Sequence, residues 1–346
     1  MPIHPLLLNA LKNQKCVLVL GHDALQLPSE KKYYQEVLQK VAATFEEDTS
    51  YKKDEEFMYV APTVEKQVYE YIAKEYQKLP APTMYDKLAA IPFFMLLNTS
   101  PDVYLKNSFE SKKPDGFQFV YDYYQAQVNP TPVPKTNNDA PLLYNLFGTV
   151  ELPTTLVFSY NKLFGYMDSL IGQKYKLHAS MTAQIADAES IVFVGLPFNR
   201  IYLNMIFWLL GLQSMQYKKF ASGVHYPETS EFVKKQFTVS FVNENIAEFI
   251  EELYEECKSE NILRTFKAPR IPLIDYENNT QEGISKRKQE LLELLEGIDF
   301  PSVFELLDNL GIEKMRTEEF KKEFMHKDRS YDFNDRMKVF VNSLPI

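Results

Sequence analysis

The stretch Cys16-Val17-Leu18-Val19-Leu20-Gly21-His22-Asp23 decides the fold. Five consecutive apolar residues leave no polar face for solvent. They suit a strand covered on both sides, as in a parallel sheet with helices above and below. Gly21 ends the run, and a second run of the same kind, Ser190-Ile-Val-Phe-Val194, also ends in a glycine, Gly195. Residues 93–97, 142–146, 156–158 and 238–242 are further strand candidates. Helical spacing of apolar residues falls over 84–90, 161–171, 201–212 and 246–257. Strands alternating with helices predict an α/β architecture: a Rossmann-like, doubly wound, mostly parallel sheet that takes its ligand at the carboxyl ends of the strands.

Between the first strand and the rest, residues 29–90 carry apolar side chains at helical intervals, among them Tyr33, Val37, Leu38 and Val41, then Val64, Val68, Tyr71 and Ile72. This predicts a helical insertion. Asn129-Pro-Thr-Pro-Val-Pro-Lys-Thr-Asn-Asn-Asp139 cannot sustain a helix or a ladder and reads as a surface loop. Residues 267–283, with prolines and Asn278-Asn279 and no periodicity, read as a linker between a domain over 1–266 and a small all-α unit over 284–346. The tyrosine cluster Tyr121-Asp-Tyr-Tyr124 reads as core and interface material.

A net charge of −9 with scattered basic residues gives no electrostatic reason to bind a polyanion, so nucleic acid is not expected as a partner. The apolar stretch 201–212 is shorter than the ~20 residues that a membrane span needs, and Met1 to Ala10 lacks a signal-peptide pattern. Cys16 and Cys257 lie far apart in sequence, and His178 and His225 have no ligand-spaced companions, so no metal is expected. Together these features predict a cytoplasmic protein.

Several segments, in order, resemble the sirtuin-like family, in particular the divergent bacterial branch that supplies NAD-cleaving domains to defence proteins. Val17-Leu-Val-Leu-Gly21-His22-Asp23-Ala24 stands where that family runs a strand into a Gly-Ala-Gly-type loop. Phe93-Phe-Met-Leu-Leu-Asn98-Thr99-Ser100-Pro101-Asp102 stands where it has a strand ending in Thr-Thr-Asn-Tyr-Asp. Leu143-Tyr-Asn-Leu-Phe147-Gly148, then Leu156-Val-Phe-Ser-Tyr160, resembles its Leu-His-Gly strand and following segment. Ile191-Val-Phe-Val-Gly195 resembles its Phe-Leu-Gly-Tyr-Ser strand, and Val239-Ser-Phe-Val242 would close the sheet.

The resemblance implies an NAD or related nucleotide site built from Gly21, His22, Asp23, Thr99, Gly148 and Gly195. It also implies that the chemistry has been lost. Phe147 occupies the position of the catalytic histidine and cannot accept a proton, and general-base help is worth ~10²–10⁴ in rate. Ser100 replaces the family asparagine, and His22 and Asp23 put side chains and a negative charge into a loop whose amides should face phosphate. The leading expectation is therefore a non-catalytic module that acts in protein interaction or nucleotide sensing, with 284–346 as its docking part and a homo-oligomer compatible with the pattern. The rival is an NAD glycohydrolase, or a hydrolase of a related nucleotide, with a rearranged site drawn from His22, Ser100 and Asp102.

Overall fold

The computed structural model describes residues 3–25, 32–52, 56–78, 82–112, 117–125, 136–137, 139–171, 179–212, 214, 216–223, 234–235 and 237–266. The 267–283 linker, the 284–346 unit, His178, His225 and most of the 129–139 loop lie outside them.

Seven parallel strands form one sheet: β1 (Cys16–Leu20), β4 (Met95–Asn98), β5 (Val120–Tyr123), β6 (Leu142–Asn145), β7 (Ser190–Val194), β8 (Lys218–Ser222) and β9 (Val239–Asn243), in the spatial order β5-β6-β4-β1-β7-β8-β9. β1 is central, with Leu18 opposite Leu96 on one side and Val192 on the other. Its side chains alternate between two cores. Cys16, Leu18 and Leu20 enter one, while Val17 and Val19 enter the other. That division explains the unbroken apolar run, because every residue of β1 is buried.

The first core lies beneath α1 (Pro5–Lys12), α2 (Tyr33–Thr44), α3 (Glu65–Gln77), α4 (Met84–Ala90), α5 (Tyr104–Glu110) and α9 (Ile246–Ser259). The second lies beneath α6 (Tyr160–Ile171), α7 (Ala179–Ala186) and α8 (Ile201–Leu209). Helices on both faces make the sheet doubly wound, as the sequence predicts, although it is wholly rather than mostly parallel. The chain leaves β1 toward β4 and leaves β7 toward β8, so the direction of winding reverses between the two central strands. Their carboxyl ends are the topological switch point.

Four details correct the sequence reading. Residues 156–158 are no strand: they follow the 3₁₀ turn Pro153–Thr155 as an extended link, held by the Val157 amide donating to the Phe147 carbonyl (3.2 Å) and by the bridge of Ser159 with Met58. The 29–90 insertion is not purely helical, since β2 (Thr49–Ser50) pairs antiparallel with β3 (Tyr59–Val60). The helix expected over 201–212 stops at Leu209. Past it, Gly211 has φ +74°, in the left-handed region. Finally, the tyrosine cluster supplies edge strand β5, whose residues are all half-buried.

The two strand-ending glycines bring the loops after β1 and β7 into backbone contact. A Cβ on Gly21 would lie 1.9 Å from the Gly195 carbonyl oxygen; one on Gly195, which has φ +66°, would lie 2.3 Å from the amide of Ala24. Gly195→Ala is therefore expected to lower unfolding free energy by about 3 kcal/mol or more, since backbone strain of about 1–3 kcal/mol adds to a clash with main chain. Gly165→Ala, on the open face of α6 with nothing within 4 Å, is expected to raise it by about 0.5–1 kcal/mol. Urea titration of the two variants checks both.

Candidate functional site

At the switch point, five backbone amides of the two strand-ending turns are bonded within the chain. The Gly21 amide donates to the Val194 carbonyl (2.7 Å), Asp23 to Gly195 (3.1 Å), Ala24 to Gly21 (3.1 Å), Leu25 to His22 (3.3 Å) and Gly195 to Ser222 (2.9 Å). A phosphate-binding turn presents such amides unpaired. Here they stitch the ends of β1, β7 and β8 together, so Gly21 and Gly195 serve close backbone packing.

The side chains that follow fill the adjoining space. His22 and Asp23 sit in the 3₁₀ turn His22–Ala24 and are both buried. His22 Nε2 lies 3.2 Å from Glu56 Oε1 and 3.6 Å from Asp23 Oδ1, and its ring packs on Tyr34 with centroids 4.5 Å apart. Glu56 also accepts bonds from Arg200 Nε (3.1 Å) and from the Tyr202 hydroxyl, while the Tyr34 hydroxyl donates to the Glu56 backbone carbonyl. Lys32 donates to Asp23 Oδ2 at 2.5 Å. Asp23 thus belongs to an internal ion pair.

Burial opposes ionisation of Glu56, but the His22 charge, the bonds from His22 and Tyr202, and Arg200 outweigh it and hold the carboxyl at about 2. Burial likewise works against protonated His22, yet Glu56 beside it, and then Asp23, raise it above its ordinary value. The result is a buried, compensated charge cluster.

Phe147 borders this cluster. Its ring meets Phe57 edge-on at 6.3 Å, Tyr202 at 5.9 Å and Tyr166 at 5.6 Å. It stands in an aromatic wall, and no base takes its place there. Gly148, with φ +80°, turns the chain so tightly that a Cβ would fall 2.2 Å from the Thr155 carbonyl oxygen. That glycine, too, serves packing.

A second polar group lies at the neighbouring ends of β4 and β6, where Asn98 and Asn145 stand opposite each other. The Ser100 amide donates to Asn98 Oδ1 (2.9 Å), Asn145 Nδ2 donates to the Asp102 carbonyl (3.1 Å), and Asp102 Oδ1 accepts from the Tyr104 amide (3.1 Å) at the start of α5. Asp102 thus forms a local turn that bonds the first amide of α5 through its Oδ1. Three buried atoms here have no hydrogen-bond partner, Asn98 Nδ2, Thr99 Oγ1 and Asn145 Oδ1, while the Ser100 hydroxyl lies close enough to the Asp102 carboxylate to favour its charge. An unpaired buried polar group costs about 1–3 kcal/mol, so three in one place need an explanation. Burial pushes the Asp102 carboxyl up to about 6, against the smaller opposing effects of the nearby Ser100 hydroxyl and the Tyr104 amide.

The structure therefore divides the sequence-predicted residues into two groups. Gly21, His22, Asp23 and Gly195 meet at a closed switch point; Thr99, Ser100 and Asp102 meet in the buried polar cluster at the ends of β4 and β6; Gly148 and Phe147 flank these as packing residues. Sequence reading missed Glu56, Arg200, Tyr202, Asn98 and Asn145. Glu56 carried one signal, an acidic residue directly before Phe57-Met58, which are both buried. Among the described residues no three His, Cys, Asp or Glu side chains come together to hold a metal ion, and no described helix is long and apolar enough to cross a membrane. No protein-family model and no curated protein matches the chain.

The two shifted groups set the pH range of the Glu56 cluster. Glu56 is depressed, so its contribution to stability is complete above its ordinary value of 4.5 and is lost as pH falls toward about 2. His22 is raised, so its contribution is complete below 6.5 and fades as pH rises through its folded-state value. In an Asp102→Asn background, which removes the separate titration of Asp102, urea midpoints should show a plateau between those limits. Glu56→Gln should flatten both limbs and remove about 3–5 kcal/mol, the usual effect of orphaning a buried charge.

Proposed function

We propose that this domain is a degenerate sirtuin-like module that recognises a small polar ligand, of nucleoside or mononucleotide size, at the ends of β4 and β6 without consuming NAD. The three unpartnered buried atoms of Asn98, Thr99 and Asn145, beside the Ser100 hydroxyl and the Asp102 carboxyl, carry the reading. They offer donors and acceptors at the sheet end where α/β folds place ligands, and a ligand that paired with them would recover their desolvation cost. The committed amides of Gly21, Asp23 and Gly195 support exclusion of a diphosphate, and the aromatic surroundings of Phe147 support the absence of a histidine-type base. The amphipathic pattern over 284–346 supports a protein-docking role for that segment, through which a ligand at the polar cluster would be read.

A hydrolase reading is favoured by one observation, the buried Asp102 carboxyl raised to about 6, which suits proton transfer near neutrality. Its signature would be product formation from a nucleotide that follows one ionisation near that value and disappears in Asp102→Asn.

The same substitution tests recognition. Asp102 is raised from 3.8 to about 6, so its folded form binds the proton more tightly and the protein loses stability as pH rises through that range. Asp102→Asn keeps an acceptor for the Tyr104 amide and is expected to be about 2–3 kcal/mol more stable than wild type at pH 8, because each tenfold change in proton affinity is worth about 1.4 kcal/mol. In a thermal-shift screen of nucleosides and mononucleotides, at least one compound should raise the wild-type Tm and lose that effect in the more stable variant. A screen without any shift, or a shift that Asp102→Asn leaves intact, would sink the reading.

A further inference from the structure

α8 carries no charged residue from Ile201 to Leu209; its polar groups are Asn204 and the Tyr202 hydroxyl, which is bonded to Glu56. Leu203, Ile206 and Phe207 turn into the second core, yet Met205 is 40% exposed and Trp208 63%. A helix that lacks a polar face is ordinarily covered all round. α6 repeats the pattern: Leu163, Tyr166, Met167 and Leu170 enter the same core, while Phe164 is 65% exposed and Ile171 57%.

The two helices are neighbours. Phe57 meets Tyr160 in the first turn of α6 (6.2 Å) and Tyr202 in the first turn of α8 (5.0 Å), and Phe147 meets both Tyr166 and Tyr202. Both helices therefore start at the carboxyl end of the sheet and lead back toward its amino end. Single exposed apolar residues are ordinary; four large ones on adjacent helices mark a surface that something covers.

We infer that residues 284–346 of this same chain dock on the α6–α8 face and cover Trp208. This deepens the docking role given to that segment above and rests on that part of the reading alone. The segment sets Leu291, Leu294, Leu295, Leu306 and Leu307 at helical intervals, but it is shorter than the ~70–80 residues that a single core ordinarily needs. The uncovered face supplies the missing apolar area.

The point of attachment also fits. The described chain ends at Phe266, just past Arg264, whose guanidinium donates to the carbonyls of Ala89, Ile91 and Phe93 immediately ahead of β4. That is the amino end of the strands, and Trp208, near the end of α8, lies toward the same end. Two strand spacings from β4 to β7 and the thickness of the layers separate the two places by about 20–30 Å. A flexible link as long as 267–283 has a root-mean-square span of about 20–25 Å. A tether matched to its span gives an effective concentration on the order of millimolar, so the attached segment outcompetes a second copy at micromolar protein.

Trp208 is the only tryptophan in the chain, so the intrinsic fluorescence of the full-length protein reads its surroundings. Its emission should lie to the blue of N-acetyltryptophanamide and its quenching by acrylamide should be several times weaker, equally so in dilute and concentrated samples. Phe164→Glu, at an exposed position on the other helix, should shift the emission to the red and restore quenching with the far-ultraviolet circular dichroism unchanged. Leu294→Asp, within the segment, should do the same to Trp208. The inference is overturned by solvent-like emission and full quenching in the wild type, by protection that appears only as protein concentration rises, which would name a second copy, or by protection that survives either variant. Ligand recognition at the polar cluster stands or falls separately, on the Asp102→Asn screen.

Discussion

The contact on which the rest of the molecule depends is between two stretches of backbone, the turn from Gly21 to Ala24 after β1 and the turn at Gly195 after β7. In an open α/β sheet these two loops diverge at the switch point and leave a crevice. Here the absence of side chains at Gly21 and Gly195 lets the main chains touch, and hydrogen bonds run from Gly21 to Val194, from Asp23 to Gly195 and from Gly195 to Ser222. Glycines that could hold a loop open for phosphate instead hold it shut. The remaining volume is taken by His22 and by Glu56, which the insertion delivers from the side.

Once the crevice is closed, the distribution of polar groups becomes uneven. Around Glu56 nearly every charge has a partner, and the cluster ties the insertion to the start of α8 through Arg200 and Tyr202. A short distance along the sheet edge, the ends of β4 and β6 hold polar atoms with no partners. Those unpaired atoms weaken the fold and Asp102 weakens it further as pH rises, whereas the Glu56 cluster strengthens it. Buried polar groups kept at such a cost are the ordinary mark of a recognition site, and this contrast directs attention to Asn98, Ser100, Asp102 and Asn145 rather than to His22.

Much of the fold was legible in the sequence because its central strands are buried on both faces. Cys16-Val-Leu-Val-Leu20 and Ser190-Ile-Val-Phe-Val194 contain no conflicting signal, and both coincide with the observed strands residue for residue. Strand β8 was not legible: Lys218-Lys219 looks like solvated surface, yet Lys219 is buried and reaches a backbone carbonyl with its ammonium. Edge strand β5 was hidden for the opposite reason, since its half-buried tyrosines lack a clean alternation. The site was legible in part. Strand ends marked His22, Ser100 and Asp102, but Glu56 finds Arg200 across 144 residues, and no local pattern announces a partner at that separation. Nor does a glycine after a strand say whether it opens a loop for a ligand or closes it against another loop.

Main chain from the turns at Gly21 and Gly195, with His22 and Glu56 beside it, fills the crevice in which a dinucleotide's diphosphate would have to lie. Equilibrium dialysis of the full chain against labelled NAD tests it most directly. The closed switch point predicts no retention above the buffer level even at millimolar NAD. Saturable, one-to-one retention with micromolar affinity would show that the turns at Gly21 and Gly195 open, and would contradict the account.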